Sequence, residues 1–305
     1  MLKNDVIEIS QDISQALAAN RSVVALESTV IAHGLPRPEN LQTALALEAI
    51  VSSAGAVAAT VAVLKGKLRV GLTHDELQFL AQSDEIKKIS MRDLPIAVTR
   101  DWNAATTVAT TVWIAAQTGI KVLATGGIGG VHRGSPADVS ADLVELARTA
   151  IIVVCSGAKI VLDLPATREW LETHGITIVG YRCDELPAFY SRRSGLPIDV
   201  RADSTIEIVK LFQAQRKLGL ESALLVASPV PEEFEIASDQ LQSFIDSSLA
   251  AATRTHVSGR ELTPFLLSHM ASLSGGATLR ANIALLKNNA LLASQIATAA
   301  AWNES

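Results

Sequence analysis

A primary amine stands where solvation is poor. Lys159, in VVCSGAKIVLDL, follows one apolar strand pattern and precedes another apolar stretch. A lysine acts as a nucleophile only when unprotonated, and desolvation or a neighbouring cation favours that state. The structural alternative is a lysine that opens a helix after CSG and reaches back to water along its own stem. Glu27, in ALESTVIAHGLPRP, is the second candidate. A carboxylate that ends an apolar strand either pairs with a donor or acts as a general acid whose pKa is raised by burial. The HGLPRP that follows reads as a rigid loop at the same edge.

The densest glycine run, ATGGIGGVHRG from Ala124 to Gly134, lies after a strand pattern. Such glycines let backbone N–H groups approach an anionic ligand. The dinucleotide fingerprint fails, because counting from Gly127 puts His132 at the third glycine position, and no Gly-Lys-Ser/Thr of a P-loop occurs. Downstream, Ser140 is a good helix N-cap, and Asp142 in the first turn suits the helix dipole. Asp138 lies just outside that helix, where one or two carboxylates plus waters would hold a magnesium- or manganese-like ion. The six histidines are scattered without ligand spacing, which disfavours zinc. Lys88 precedes a Pro-terminated loop, where a surface charge pair with Lys87 is the plain alternative. The Thr-rich helix start after Asn103 offers N–H groups and hydroxyls to a phosphate, or simply caps its helix.

These residues need elements to position them. Strand patterns cover Val23–Glu27, Ala56–Leu64, Lys67–Val70, Val122–Thr125, Ile151–Cys155, Thr177–Gly180 and Ala223–Ala227. Helical patterns alternate with them near Asp5–Ala19, Asn40–Ala54, Thr73–Gln82, Thr106–Gln117, Ser140–Ala147, Thr167–His174 and Ser204–Leu218. LKGKL from Leu64 to Leu68 predicts a tight hairpin, so the expected fold is a three-layer α/β/α domain with a central mixed sheet. After Glu232 the chain turns helical, with Thr263 as an N-cap before Pro264 and a final helix over about Thr278–Ala301. No repeat or linker divides residues 1–305, so one domain is expected. Glu27, Thr125 and Lys159 all fall at strand ends, where open α/β sheets bind ligands. That position makes Thr125 a candidate substrate contact.

Composition narrows the function classes. The net charge is −5 and no basic run breaks it, which argues against a nucleic-acid surface while leaving room for a small phosphorylated ligand. Cys155 and Cys183 have neither metal nor redox spacing, and no segment has signal-peptide or membrane-span length. A soluble cytoplasmic protein is the expectation.

Taken together, ALESTVIAHGLP, GAVAATVAVLKGKLRVGL, ISMRDLP, AATTVATT, ATGGIGGVHRG, DVSADLVELA, VVCSGAK, LPAFY, TPFLL and ANIALLKNNA resemble the pseudouridine-5′-phosphate glycosidase family, also called indigoidine synthase A-like. The resemblance implies reversible cleavage of the C–C glycosidic bond of pseudouridine 5′-phosphate to uracil and ribose 5-phosphate. It implies Lys159 as the Schiff-base lysine and Glu27 as the proton donor. Lys88 and Val108 are implied substrate contacts, as are Ser140, Ala141 and Asp142, and His132 and Asn282 would line the same pocket. Asp138 is the implied metal ligand, usually for manganese, and a homotrimer is the implied assembly. Two departures stand out. Only SPA separates HRG from DVSADL, where relatives commonly carry a longer insert, and Ser228 stands where asparagine is more frequent. The alternatives are an aldolase-type lyase that uses the same lysine on another sugar phosphate, and a catalytically silent binding protein. The intact Glu27, Lys88 and Lys159 set argues against the silent protein.

Overall fold

A computed structural model describes residues 6–257 and 262–300. Its strands, in chain order, are β1 (Ile7–Ile9), β2 (Val23–Glu27), β3 (Val57–Leu64), β4 (Lys67–Val70), β5 (Lys87–Ile89), β6 (Ala104–Thr106) and β7 (Val122–Ala124). Then come β8 (Val131–His132), β9 (Ser135–Val139), β10 (Ile152–Cys155), β11 (Leu162–Asp163), β12 (Thr177–Tyr181), β13 (Val200–Ala202) and β14 (Leu224–Ala227). The main sheet runs β1-β4-β3-β2-β7-β10-β14-β12-β13, with β6 pairing β3 and β5 pairing β6. From β3 to β13 the neighbours are parallel, whereas β4 and β6 run antiparallel to β3. The sheet is therefore mixed, as expected.

The central strands are apolar along their whole length because helices cover them. Every residue of β2, β7, β10 and β14 is buried, the signature of parallel strands with no wet face. The terminal helix Ala277–Ala299 packs on β2, β7 and β10, and the helix Val108–Gln117 packs on β2 and β3. Among the described residues no helix is long and apolar enough to cross a membrane.

Chain order places the cleft. From β2 the chain steps to β3 on one side, then returns to β7 on the other. The carboxyl ends of β2 and β7 thus flank a switch point, where parallel sheets open a crevice. The Lys65–Gly66 turn between β3 and β4 has positive φ at both residues, 49° and 74°, matching the twist of a tight hairpin.

Several expectations shift in detail. The first helix starts at Gln11, capped by Ser10, because the alternating residues before it form β1 against β4. Asp5 lies outside the described residues, as does Ala301 at the far end of the last helix. The segment leading into HGLPRP is a π-helical turn over Val30–Gly34 rather than a plain loop. The penultimate helix, Leu262–Leu273, begins before Thr263, so Pro264 still falls in its first turn. Strands β5, β6, β8, β11 and β13 carry two or three residues each, too few to show a period in sequence. The five residues of β9, Ser-Pro-Ala-Asp-Val, are mostly poor strand formers with no apolar alternation.

Candidate active site

Glu27 is the last residue of β2, Thr125 follows the last residue of β7, and Lys159 lies four residues beyond β10. These three strands are neighbours in the sheet, so their ends converge. The cavity they help to wall has a volume of about 600 Å³. Glu27, Lys88, His132, Asp138, Ser140, Ala141, Asp142 and Lys159 all line it. Three other expected site residues do not stand in that wall. Val108 is buried as the first residue of its helix, Thr125 is buried behind Glu27, and Asn282 is buried where the terminal helix passes Gly126.

Lys159 does not open a helix. It sits in a turn whose Leu162 N–H bonds back to the Lys159 carbonyl at 3.0 Å, and the next helix starts only after the Asp163 cap. Its neighbours Ile160, Val161 and Leu162 are buried while Lys159 itself is half-buried and reaches the cavity. Arg133 holds this turn from outside, donating to the carbonyls of Leu162 and Ile160 at 3.1 and 3.3 Å. The apolar flanks thus anchor the backbone and leave the amine facing the cavity.

Glu27 is 6% exposed and accepts a hydrogen bond from the Thr125 hydroxyl. Burial pushes its carboxyl above the usual carboxylate range. Lys159, the Thr125 hydroxyl and Lys88 oppose that rise, and Asp142 adds to it. The result is a carboxyl biased toward its protonated form in sight of a lysine, the arrangement an acid catalyst requires.

Strand alternation separates the two consecutive lysines. In β5, Lys87 is exposed and lies 4.8 Å from the Trp102 ring centroid, while half-buried Lys88 lines the cavity. Pairing β5 with β6 sets Lys88 beside Ala105, close to the start of the helix Val108–Gln117.

The glycine run does something other than cradle a ligand. Gly129 N–H donates at 2.8 Å to one oxygen of Asp142, and Ala109 N–H donates at 2.8 Å to the other. The anion that meets these N–H groups is thus a buried side chain of the protein itself. A Cβ on Gly129 would collide with Ser140 and Asp142, and one on Gly130 with Thr167. Ser140 caps its helix as expected, its Oγ accepting from Asp142 N–H at 3.2 Å.

The shortened SPA segment forms β9, which turns back on β8 through Arg133 and Gly134. It still delivers Asp138, exposed, to the cavity wall. No group of three or more His, Cys, Asp or Glu side chains among the described residues is arranged to hold a metal. The donor set therefore fits only a largely hydrated ion held by one or two carboxylates. Ser228 is buried away from this wall, and its Oγ accepts from Asn288 at 2.9 Å.

The sequence profile described as "Indigoidine synthase A like protein" matches residues 12–299. The chain belongs to the indigoidine synthase A-like family. It is 49% identical over 296 residues to a protein of Geobacillus kaustophilus named pseudouridine-5′-phosphate glycosidase, covering 96% of this chain and 98% of that one. A protein of the same name from Caldanaerobacter subterraneus is 48% identical over 296 residues, covering 96% of each. An indigoidine synthase A-like crystal structure from Thermotoga maritima superposes with a TM-score of 0.89 at 38% identity, covering 96% of both chains. The prealnumycin C-glycosynthase in complex with ribulose 5-phosphate gives the same TM-score, 0.89, at 36% identity over 97% of both chains.

Within this family member, residue reasoning missed part of the wall. Thr29, Ser90, Arg92 and Arg148 also line the cavity, whereas Thr107, which lines it too, belongs to the Thr-rich helix start already singled out. Ser90 and Asp93 form a reciprocal cap, with Ser90 N–H donating to Asp93 at 3.0 Å, and a Ser-x-x-Asp spacing before Leu94-Pro95 was the available signal. Arg148 pairs with buried Glu145 at 2.6 Å, one helical turn apart, which no strand-end argument could reach.

Proposed function

We propose that this enzyme reversibly cleaves the C–C glycosidic bond of pseudouridine 5′-phosphate, giving uracil and ribose 5-phosphate through a Schiff base on Lys159. What carries the reading is the convergence on one cavity of a lysine and a carboxyl whose burial favours its protonated form. The names of relatives near half identity along almost the whole chain support it.

A carbon leaving group explains why this pair is needed. An ordinary glycosidase protonates a leaving oxygen between two carboxylates, but here the departing atom is uracil C5. In the cleavage direction the neutral Lys159 amine attacks C1′, the C1′–O4′ bond breaks, and O4′ takes a proton. The nitrogen lone pair then forms C=N⁺ as the C1′–C5 pair of electrons moves to C5, which takes the proton of Glu27. Water adds to the iminium carbon, ribose 5-phosphate departs, and Lys159 is regenerated. Lys88, on the same cavity wall, supplies a cation for the phosphate. The remaining parts of the reading rest on resemblance. They are Asp138 as the anchor of a hydrated Mn²⁺ or Mg²⁺ ion, and a cytoplasmic homotrimer as the assembly.

The ribulose 5-phosphate complex of the C-glycosynthase keeps a second reading in play, a Schiff-base lyase acting on another sugar phosphate. One experiment addresses both. The protein is incubated with ribose 5-phosphate, treated with borohydride, and the adduct mapped by mass spectrometry, while uracil release from pseudouridine 5′-phosphate is assayed in parallel. A sugar mass on Lys159 together with uracil release supports the proposal. An adduct without uracil release favours the second reading, and full uracil release by Lys159→Ala rules out the lysine mechanism.

A further inference from the structure

We propose that Thr125 is a positioning residue that orients the Glu27 carboxyl, and that Asn289 anchors Thr125 from the terminal helix. The inference rests on Glu27 being the acid of the proposed reaction. Thr125 is 2% exposed, and its hydroxyl donates to Oε1 of Glu27 across the β2–β7 switch point. Its carbonyl accepts from Asn289 Nδ2 at 2.9 Å, and that Nδ2 also lies 3.1 Å from Ser156 Oγ. Asn289 and Ser156 are wholly buried, at 0% exposure. The ends of β2, β7 and β10 are thereby tied to one amide in the middle of the Ala277–Ala299 helix.

That amide sits among alanines and leucines, where an unpaired polar group would be costly. Paired on both sides, it joins a connected buried network that holds one arrangement. Gly126 lets the helix approach, since a Cβ there would press on Leu285 and Leu286 at 3.2 and 3.3 Å.

The chemical consequence follows from the donor count. A threonine hydroxyl has one proton, and it is given to Oε1. The proton of the neutral carboxyl then resides on Oε2, the oxygen with no protein hydrogen bond among the described residues. The same donated bond stabilises the carboxylate left after proton transfer, working against burial. The other charged groups acting on Glu27 are Lys159, Lys88 and Asp142.

Thr125→Val keeps the side-chain shape and removes the hydroxyl, Thr125→Ala removes it with less bulk, and Thr125→Ser keeps it. We expect kcat for uracil release to fall by about tenfold or more in the hydroxyl-free variants, with KM within about twofold. The alkaline limb of the kcat profile should move to higher pH, because a lost donor raises the Glu27 pKa further. Thr125→Ser should restore both. Asn289→Leu should move both in the same direction by less. Borohydride trapping of ribose 5-phosphate on Lys159 should stay at the native level in every variant, which reports an intact cavity. An unshifted alkaline limb in both hydroxyl-free variants, or no recovery in Thr125→Ser, overturns the proposal. If Glu27→Gln itself retains turnover and the limb, the acid assignment is what has failed, and the positioning role falls with it.

Discussion

Three carboxylates around one cavity show how far surroundings outweigh residue type. Glu27 is buried with one donor, and its proton is held against the usual carboxylate range. Asp142 is as deeply buried, yet both its oxygens are engaged by backbone N–H groups at 2.8 Å, which leaves little for a ligand. Asp138 is exposed on the wall. In sequence each was a carboxylate near a strand or helix end, and the strand-end argument could place Glu27 but not apportion these roles. The role of Asp138 is open to direct test through metal removal. If it anchors a hydrated ion, chelation should lower turnover, added Mn²⁺ or Mg²⁺ should restore it, and Asp138→Ala should lower activity by about 10–100-fold. Steady-state assays before and after chelation check this, and activity unchanged by both treatments would leave Asp138 a structural residue.

At the scale of elements, the glycine run and the helix after Asn103 are one device. Asp142 reaches from its short helix to Gly129 on one side and to Ala109 on the other, locking the loop and the helix start together. The glycine density was legible in sequence, but its purpose was not. Glycine spacing signals close backbone approach without saying whether a ligand or a side chain makes the approach. Gly129→Ala should therefore act as a packing mutation: its Cβ meets Ser140 and Asp142, so the clamp must open. Asp142→Asn should act more locally, setting an amide donor against one of the two N–H donors. A loss of about 1–3 kcal/mol is expected from that unsatisfied group, with weaker turnover because the cavity wall shifts. Denaturant melts and uracil-release assays on both variants check this, and native stability in Asp142→Asn would deny the clamp. Lys88 shows the opposite case. The lysine pair gave no hint of which member turns inward, yet strand alternation had to send one to each face once β5 existed.

At the scale of the whole molecule, the central strands were legible as continuous apolar runs and the major helices by their period. The two- and three-residue strands β5, β8 and β11 and the Ser-Pro-Ala-Asp-Val strand β9 were not, and residues of all four line the cavity at the sheet end. The shared site could still be anticipated, since a parallel sheet directs every strand-end residue to one edge. The same architecture imposes a cost that can be measured. Glu27 has a folded-state pKa raised above its unfolded value, so the unfolded chain gives up the proton first as pH rises. Between the unfolded and folded pKa values the native state binds more protons, and stability falls with increasing pH. Above the folded value the loss is complete and constant. Glu27→Gln removes that proton from the balance while keeping the acceptor for Thr125. It should stabilise the protein at neutral pH by roughly 0.5–2 kcal/mol, as expected when a strained functional group is neutralised, while turnover is abolished. The gain should shrink toward zero as pH drops below the ordinary carboxylate range. Glu48, also held above that range by burial, is common to both proteins and cancels in the difference. Thermal melts of the two proteins across pH provide the measurement. A difference that is flat with pH, or a variant less stable at neutral pH, would show that the network around Thr125 and Lys159 already compensates the buried carboxyl.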